Sequence, residues 1–163
     1  MTSHMLLMGL GNIILRDEGL GVRTYERLLE RYTLPPEVEA IDGGTLGLSL
    51  LAYLEDATDL LIIDAVRSGN PPGTIVRLEG AAIPTALTLK MSMHQAGLQE
   101  LLAISAIRGT TPQRIVLWGM EPAVMEPGLD LTESLAANLD TLVDAVVHEL
   151  RSWGAAVEMR NAE

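Results

Sequence analysis

Leu60-Leu61-Ile62-Ile63 is a run of four aliphatic residues with no polar residue among them, and it ends on Asp64. A strand with one wet face alternates apolar and polar side chains. A run that does not alternate needs apolar cover on both faces. This stretch is therefore expected to be a central parallel strand, with helices packed above and below it. Parallel neighbours need long crossover connections, so the rest of the chain must supply alternating strands and helices.

The chain does so. Leu6–Leu10 reads as a first strand. Val22, Tyr25, Leu28, Leu29 and Tyr32 recur at helical spacing with arginine and glutamate between them, which predicts a helix from about Gly19 to Tyr32. Pro35-Pro36 ends it. Val38–Ile41 is a short second strand, Asp42-Gly43-Gly44-Thr45 a turn, and Thr45 a cap for a helix carrying Leu50, Leu51 and Leu54. Thr74–Leu78 follows a short polar connection, so an antiparallel or edge strand is expected. Gly80–Met93 has weak periodicity and reads as loop. His94-Gln95 opens a helix with Leu98, Leu101, Leu102 and Ser105 on one face. Arg114–Trp118 is another apolar strand and Glu121–Asp130 a loop. Thr132 caps a last helix with a long stripe from Leu135 to Leu150. Met1–His4 reads as a disordered lead, and His4 is assigned no function. The expectation is a single α/β domain over residues 1–163: a three-layer α/β/α sandwich with a twisted, mostly parallel, mixed sheet of about five strands.

Composition narrows the function. The net charge is -11 and there is no basic cluster, so binding to nucleic-acid phosphates is not expected. An acidic surface suits a basic partner or one that delivers a cation. The absence of cysteine removes disulfides, thiolate metal sites and cysteine nucleophiles together. No apolar run approaches the ~20 residues of a membrane span, and the first residues lack a basic leader, so a cytoplasmic location and no membrane insertion are expected.

The loop Gly9–Val22 joins the first strand to the first helix and holds four glycines, an asparagine and the adjacent acids Asp17 and Glu18. Strand-to-helix loops are where open α/β proteins place ligands. The dinucleotide fingerprint fails because Ile14 stands where its third glycine belongs, and no Gly-Lys-Ser/Thr follows to make a P-loop. Glu18 after the first strand, Asp64 at the end of the third and His94 at the start of a helix after the fourth would share one sheet edge. They would flank a switch point if the first and third strands are neighbours. Two carboxylates and an imidazole make a reasonable divalent-metal site with open positions.

Each of these residues also has a structural explanation. Asp17 can be a helix N-cap, with Glu18 favouring the helix's positive end. Asp64 can be a turn former and His94 a helix-start residue. Other chemistries fail on spacing. His148-Glu149-Leu150-Arg151-Ser152 has serine where a zinc protease needs its second histidine, and it reads as a surface pair; Gly47-Leu48-Ser49-Leu50-Leu51 lacks the second glycine of a nucleophile elbow. Met91, Met93, Met120 and Met125 read as adaptable filler rather than a soft-metal site.

Four motifs in order resemble the nickel–iron hydrogenase maturation endopeptidases: Gly9-Leu10-Gly11-Asn12 with Asp17-Glu18-Gly19-Leu20-Gly21-Val22, Asp42-Gly43-Gly44-Thr45, Ile62-Ile63-Asp64-Ala65, and Ser92-Met93-His94-Gln95-Ala96-Gly97. The resemblance runs from Leu6 to about Leu150. It implies removal of a C-terminal extension from a hydrogenase large-subunit precursor after nickel insertion. It places the family's metal-site residues on Glu18, Asp64 and His94, and its substrate-handling loop on Asp42, Gly43, Gly44 and Thr45. Glu121 stands where members often carry an uncharged residue. Nickel carried by the substrate is the expected ion, with another divalent metal or a metal of the protease itself as alternatives. A monomer is expected. The competing functional class is a non-catalytic chaperone that binds the immature subunit and senses its nickel. A small α/β hydrolase or nucleotide-binding protein is disfavoured by the failed fingerprints.

Overall fold

In a computed structural model of the chain, the described residues are 3–44, 50–80, 83 and 102–160. The run that opens the sequence argument is the middle strand of a five-stranded sheet. In chain order the elements are β1 (Met5–Leu10), a 3-10 turn (Arg16–Gly19), α1 (Leu20–Arg31), β2 (Tyr32–Thr33), β3 (Val38–Gly44), α2 (Leu51–Asp56), β4 (Asp59–Ala65), β5 (Ile75–Glu79), α3 (102–108), β6 (Arg114–Met120), α4 (Glu133–Ser152) and β7 (Glu158–Met159). The sheet order is β3-β1-β4-β6-β5. β1 pairs in parallel with both β3 and β4, and β4 with β6; β5 runs antiparallel to β6 at the edge, as its short connection implies.

β1 and β4 are buried along their whole length because both of their faces are covered. Successive side chains point to opposite faces. Leu7, Leu61 and Ile63 join Leu20 and Leu28 of α1 and Leu142, Val143, Val146 and Leu150 of α4 in one core. Leu6, Met8, Leu60 and Ile62 join Leu50 and Leu54 in the other, with Leu102 packed against it. Each fully buried leucine or isoleucine contributes roughly 1.5–3 kcal/mol relative to exposure, so the two faces of β1 and β4 anchor the molecule. Met120 is fully buried core filler.

Local differences from the sequence reading have physical causes. Asp42-Gly43-Gly44 is not a turn. β1 offers backbone partners that far, so β3 continues through it, pairing Gly9 with Asp42 and Leu10 with Gly44 across a register shift. Gly44 then leaves the strand with φ 44, a left-handed conformation that suits glycine. His4 is held by Thr58, which accepts its amide at 2.9 Å and donates to its carbonyl at 3.0 Å. After α4 the chain forms a two-stranded antiparallel sheet from β2 and β7, too short to carry a sequence signal. Glu149 is not on the surface. Its carboxylate accepts Arg77 Nε at 2.7 Å and Trp118 Nε1 at 3.0 Å, tying α4 to β5 and β6. Thr45, His94 and most of the loop and helix start expected over Gly80–Leu101 lie outside the described residues.

Candidate active site at the carboxyl edge

All four parallel strands end at one edge, and the loops after β1, β4 and β6 meet there. α1 starts close against the sheet because Gly21 has no Cβ. A methyl group there would collide with the carbonyls of Leu10 and Ile63, at the ends of β1 and β4. Gly21 thus provides the close helix–strand approach that Ile14 cannot. Gly11, at φ 120, lies under the carbonyl of Glu18, where a side chain would also collide.

These two glycines let the chain fold back so that the Arg16–Gly19 turn packs on β4. Glu18 lies in that turn and is partly buried. Asp64 is the penultimate residue of β4, fully buried, and its Oδ1 accepts the Ala65 amide at 2.8 Å. The condition set by the sequence holds: β1 and β4 are neighbours, with Gly9 paired to Ile63. Glu18, in the turn after β1, and Asp64, at the end of β4, therefore belong to one edge of the sheet. Asp42, Gly43 and Gly44 end β3 on the other side of β1, with Asp42 exposed. Among the described residues no three acidic or imidazole side chains are grouped closely enough to hold a metal. The third expected ligand, His94, falls outside them.

Asp17 is the residue the sequence reading misjudged. The N-cap of α1 is Gly19, not Asp17. The Asp17 carboxylate is buried and faces the loop after β6. Its Oδ2 accepts the amides of Ala123 at 2.8 Å and Val124 at 3.0 Å and the Thr132 hydroxyl at 2.7 Å; its Oδ1 accepts the Thr132 amide at 2.8 Å. Burial alone would raise its pKa, but the bonds from Thr132, Val124 and Ala123 outweigh that and hold the carboxyl below the usual aspartate range. Thr132 is still the N-cap residue of α4, but its side chain makes no cap bond; its hydroxyl donates to Asp17.

Glu121 mirrors this at the other end of the same loop. Its two carboxylate oxygens accept the Ser68 amide at 3.0 and 2.9 Å, binding the loop after β6 to the loop after β4. The sequence signal that could have found both residues is an acid beside a glycine- or proline-rich loop, where open backbone amides need an acceptor. A separate groove lined by Ser3, His4, Glu37, Glu39, Tyr53 and Asp56 opens at the opposite, amino-terminal edge of the sheet, away from Glu18 and Asp64.

A carboxyl edge with one acid at a strand end and another in the adjacent turn can bind a cation and can activate water. Comparison with known proteins identifies the family. Residues 22–149 match the family model described as hydrogenase maturation protease (HycI). The chain is 38% identical over 160 residues to the hydrogenase 2 maturation protease of Escherichia coli, covering 98% of each chain. It is 41% identical over 156 residues to the hydrogenase expression/formation protein HupD of Rhodobacter capsulatus, covering 94% of this chain and 74% of that one. The structure of the hydrogenase maturating endopeptidase HybD of E. coli superposes with a TM-score of 0.93 at 37% identity, over 96% of this chain and 98% of that one. With this fold and this degree of identity, the chain belongs to the hydrogenase maturation proteases and is an endopeptidase.

Proposed function

We propose that this endopeptidase removes the C-terminal extension of a nickel–iron hydrogenase large-subunit precursor, and that cleavage awaits nickel. The observation that carries the reading is that Glu18, in the turn that follows β1, packs beside the end of the neighbouring parallel strand β4, where Asp64 lies. That edge is where open α/β sheets bind ligands. Family membership supports the substrate class, because the proteins it resembles are named for hydrogenase maturation.

In this reading Glu18, Asp64 and His94 contact the nickel carried by the precursor. Oxygen and imidazole donors suit a borderline divalent ion, and such an ion polarises a carbonyl or a water molecule. The protein's own contribution is to dock the scissile peptide against the edge and to hold a carboxylate where it can take the proton of the attacking water. In the same reading Asp42, Gly43, Gly44 and Thr45 handle the substrate tail; the first three end the strand beside β1. The acidic chain, with a net charge of -11, favours a partner that arrives with a cation.

The test is cleavage of precursor by Glu18→Gln, Asp64→Asn and His94→Ala. Each is expected to lower the rate at least tenfold while the variant stays folded. Normal rates in both Glu18→Gln and His94→Ala would show that this edge is not the site.

A further inference from the structure

The geometry points to Asp17 as the positioning residue for Glu18, acting through the segment 121–132 as a strap that ties the Glu18 turn to the loop behind Asp64. The inference rests on the reading of Glu18 and Asp64 as site residues and adds what holds them in place.

The Arg16–Gly19 turn has little to fix it internally. It is a single 3-10 turn, a conformation with poor hydrogen-bond geometry that persists only in short pieces. Arg16 within it has φ 48, an uncommon conformation for a residue with a side chain. Such a conformation persists where the surroundings over-determine it. The surroundings here are the strap. Arg16 donates its amide to the Gly128 carbonyl at 3.1 Å, Asp17 donates its own to the Val124 carbonyl at 3.1 Å, and Gly128 donates back to the Ile14 carbonyl at 2.9 Å. Arg16 Nε reaches the Asp130 carbonyl at 3.1 Å.

The Asp17 side chain completes the clasp with four donors from Ala123, Val124 and Thr132. It is fully buried, whereas Glu18 next to it is only partly so. The two adjacent acids thus sit in different surroundings, and the buried one sets where the other stands. The strap's first residue, Glu121, grips the Ser68 amide, four residues beyond Asp64. A single segment is therefore bonded at one end to the loop that follows Asp64 and at the other to the turn that carries Glu18. The spacing of the two acids depends on both grips. Of the two, Asp17 is nearer the site, being joined to Glu18 by one peptide bond.

Asp17→Asn tests this. The variant offers one acceptor oxygen and turns an amide N–H against donors, so the four-donor clasp cannot re-form. Precursor cleavage is followed at a temperature well below melting, with near-UV circular dichroism confirming the fold, and Glu18→Gln is run in parallel. The expected result is at least a tenfold loss of kcat in Asp17→Asn with a smaller change in KM, beside a comparable loss in Glu18→Gln. A purely structural role would lower Tm and leave kcat per folded molecule unchanged. That outcome, with Glu18→Gln impaired, would overturn the inference and leave the site reading intact. Normal cleavage by Glu18→Gln would leave Glu18 with no role to be positioned for and overturn the inference; the site reading falls with it only if His94→Ala also cleaves normally. If Asp17→Asn does not fold, Thr132→Val removes one donor while keeping the side chain's shape. It is expected to lower kcat about threefold, and an unchanged kcat there would equally overturn the inference.

Discussion

Trp118 of β6 and Glu149 of α4 are joined by an indole N–H donated to a carboxylate oxygen at 3.0 Å, and the same oxygen accepts Arg77 Nε from β5 at 2.7 Å. Three elements thus meet on one buried charge. Burial alone would raise the Glu149 pKa, but the bonds from Arg77 and Trp118 and the nearby charges of Arg77 and His148 outweigh it. The folded carboxyl lies below the ordinary glutamate value of 4.5. A depressed value means that the charged form favours the folded chain. That contribution is present in full above the unfolded value and is lost as pH falls through the folded one.

Glu149→Gln is therefore expected to cost about 1.5–3 kcal/mol at neutral pH, the range for hydrogen bonds to a charged group. It should also flatten the loss of stability below pH 4.5 relative to the parent chain. Urea unfolding at a series of pH values checks both. A variant with the parent's acid limb would show that Glu149 is not coupled to folding.

Gly21→Ala should be severely destabilising, because the added methyl meets the Leu10 and Ile63 carbonyls, which are backbone and cannot rotate away. The expected readout is loss of the folded fraction, or a fall in stability above about 2 kcal/mol by urea unfolding. Gly11→Ala combines a left-handed φ with a collision against the Glu18 carbonyl. It should lower the cleavage rate more than its change in Tm explains.

Leu142→Ala empties a fully buried position between α4 and the sheet. The cost should be about 2–5 kcal/mol, the range for such cavities. Cleavage by the remaining folded molecules should be normal, since the residue lies in the core and not at the carboxyl edge. Thermal melts and rates per folded molecule separate the two effects.

Glu121→Ala should leave the Ser68 amide without its acceptor and loosen the joint between the loops after β4 and β6. Faster amide exchange at Ser68 and in the strap is expected, measured by hydrogen–deuterium exchange. Exchange identical to the parent would show that the loops are held by their backbone bonds alone.

The layering of the fold was legible because it depends on composition over whole strands. Leu60–Ile63 read as a strand covered on both faces, and the spacing of Val22, Tyr25, Leu28, Leu29 and Tyr32, and of the stripe from Leu135 to Leu150, read as helix faces. The antiparallel β5 followed from the length of its connection. The Glu18 and Asp64 edge was legible too, because strand ends carry loops and parallel strands end together. What was not legible depends on partners remote in sequence. Asp42-Gly43-Gly44 has turn chemistry but lies beside β1, whose open hydrogen-bonding groups extend the strand. Glu149 looks like a surface residue until Arg77, 72 residues away, is placed against it. Asp17 has the spacing of a cap, yet its donors come from residues more than 100 positions later. Local pattern cannot weigh such bonds, because a carboxylate takes whichever donors the fold brings to it.

The most direct measurement is the intact mass of a hydrogenase large-subunit precursor incubated with this protein, once loaded with nickel and once without. Loss of a discrete C-terminal peptide from the loaded precursor alone is the result predicted by a nickel-gated site at Glu18, Asp64 and His94. Equal shortening of loaded and nickel-free precursor, or a stable complex with no loss of mass, would contradict it.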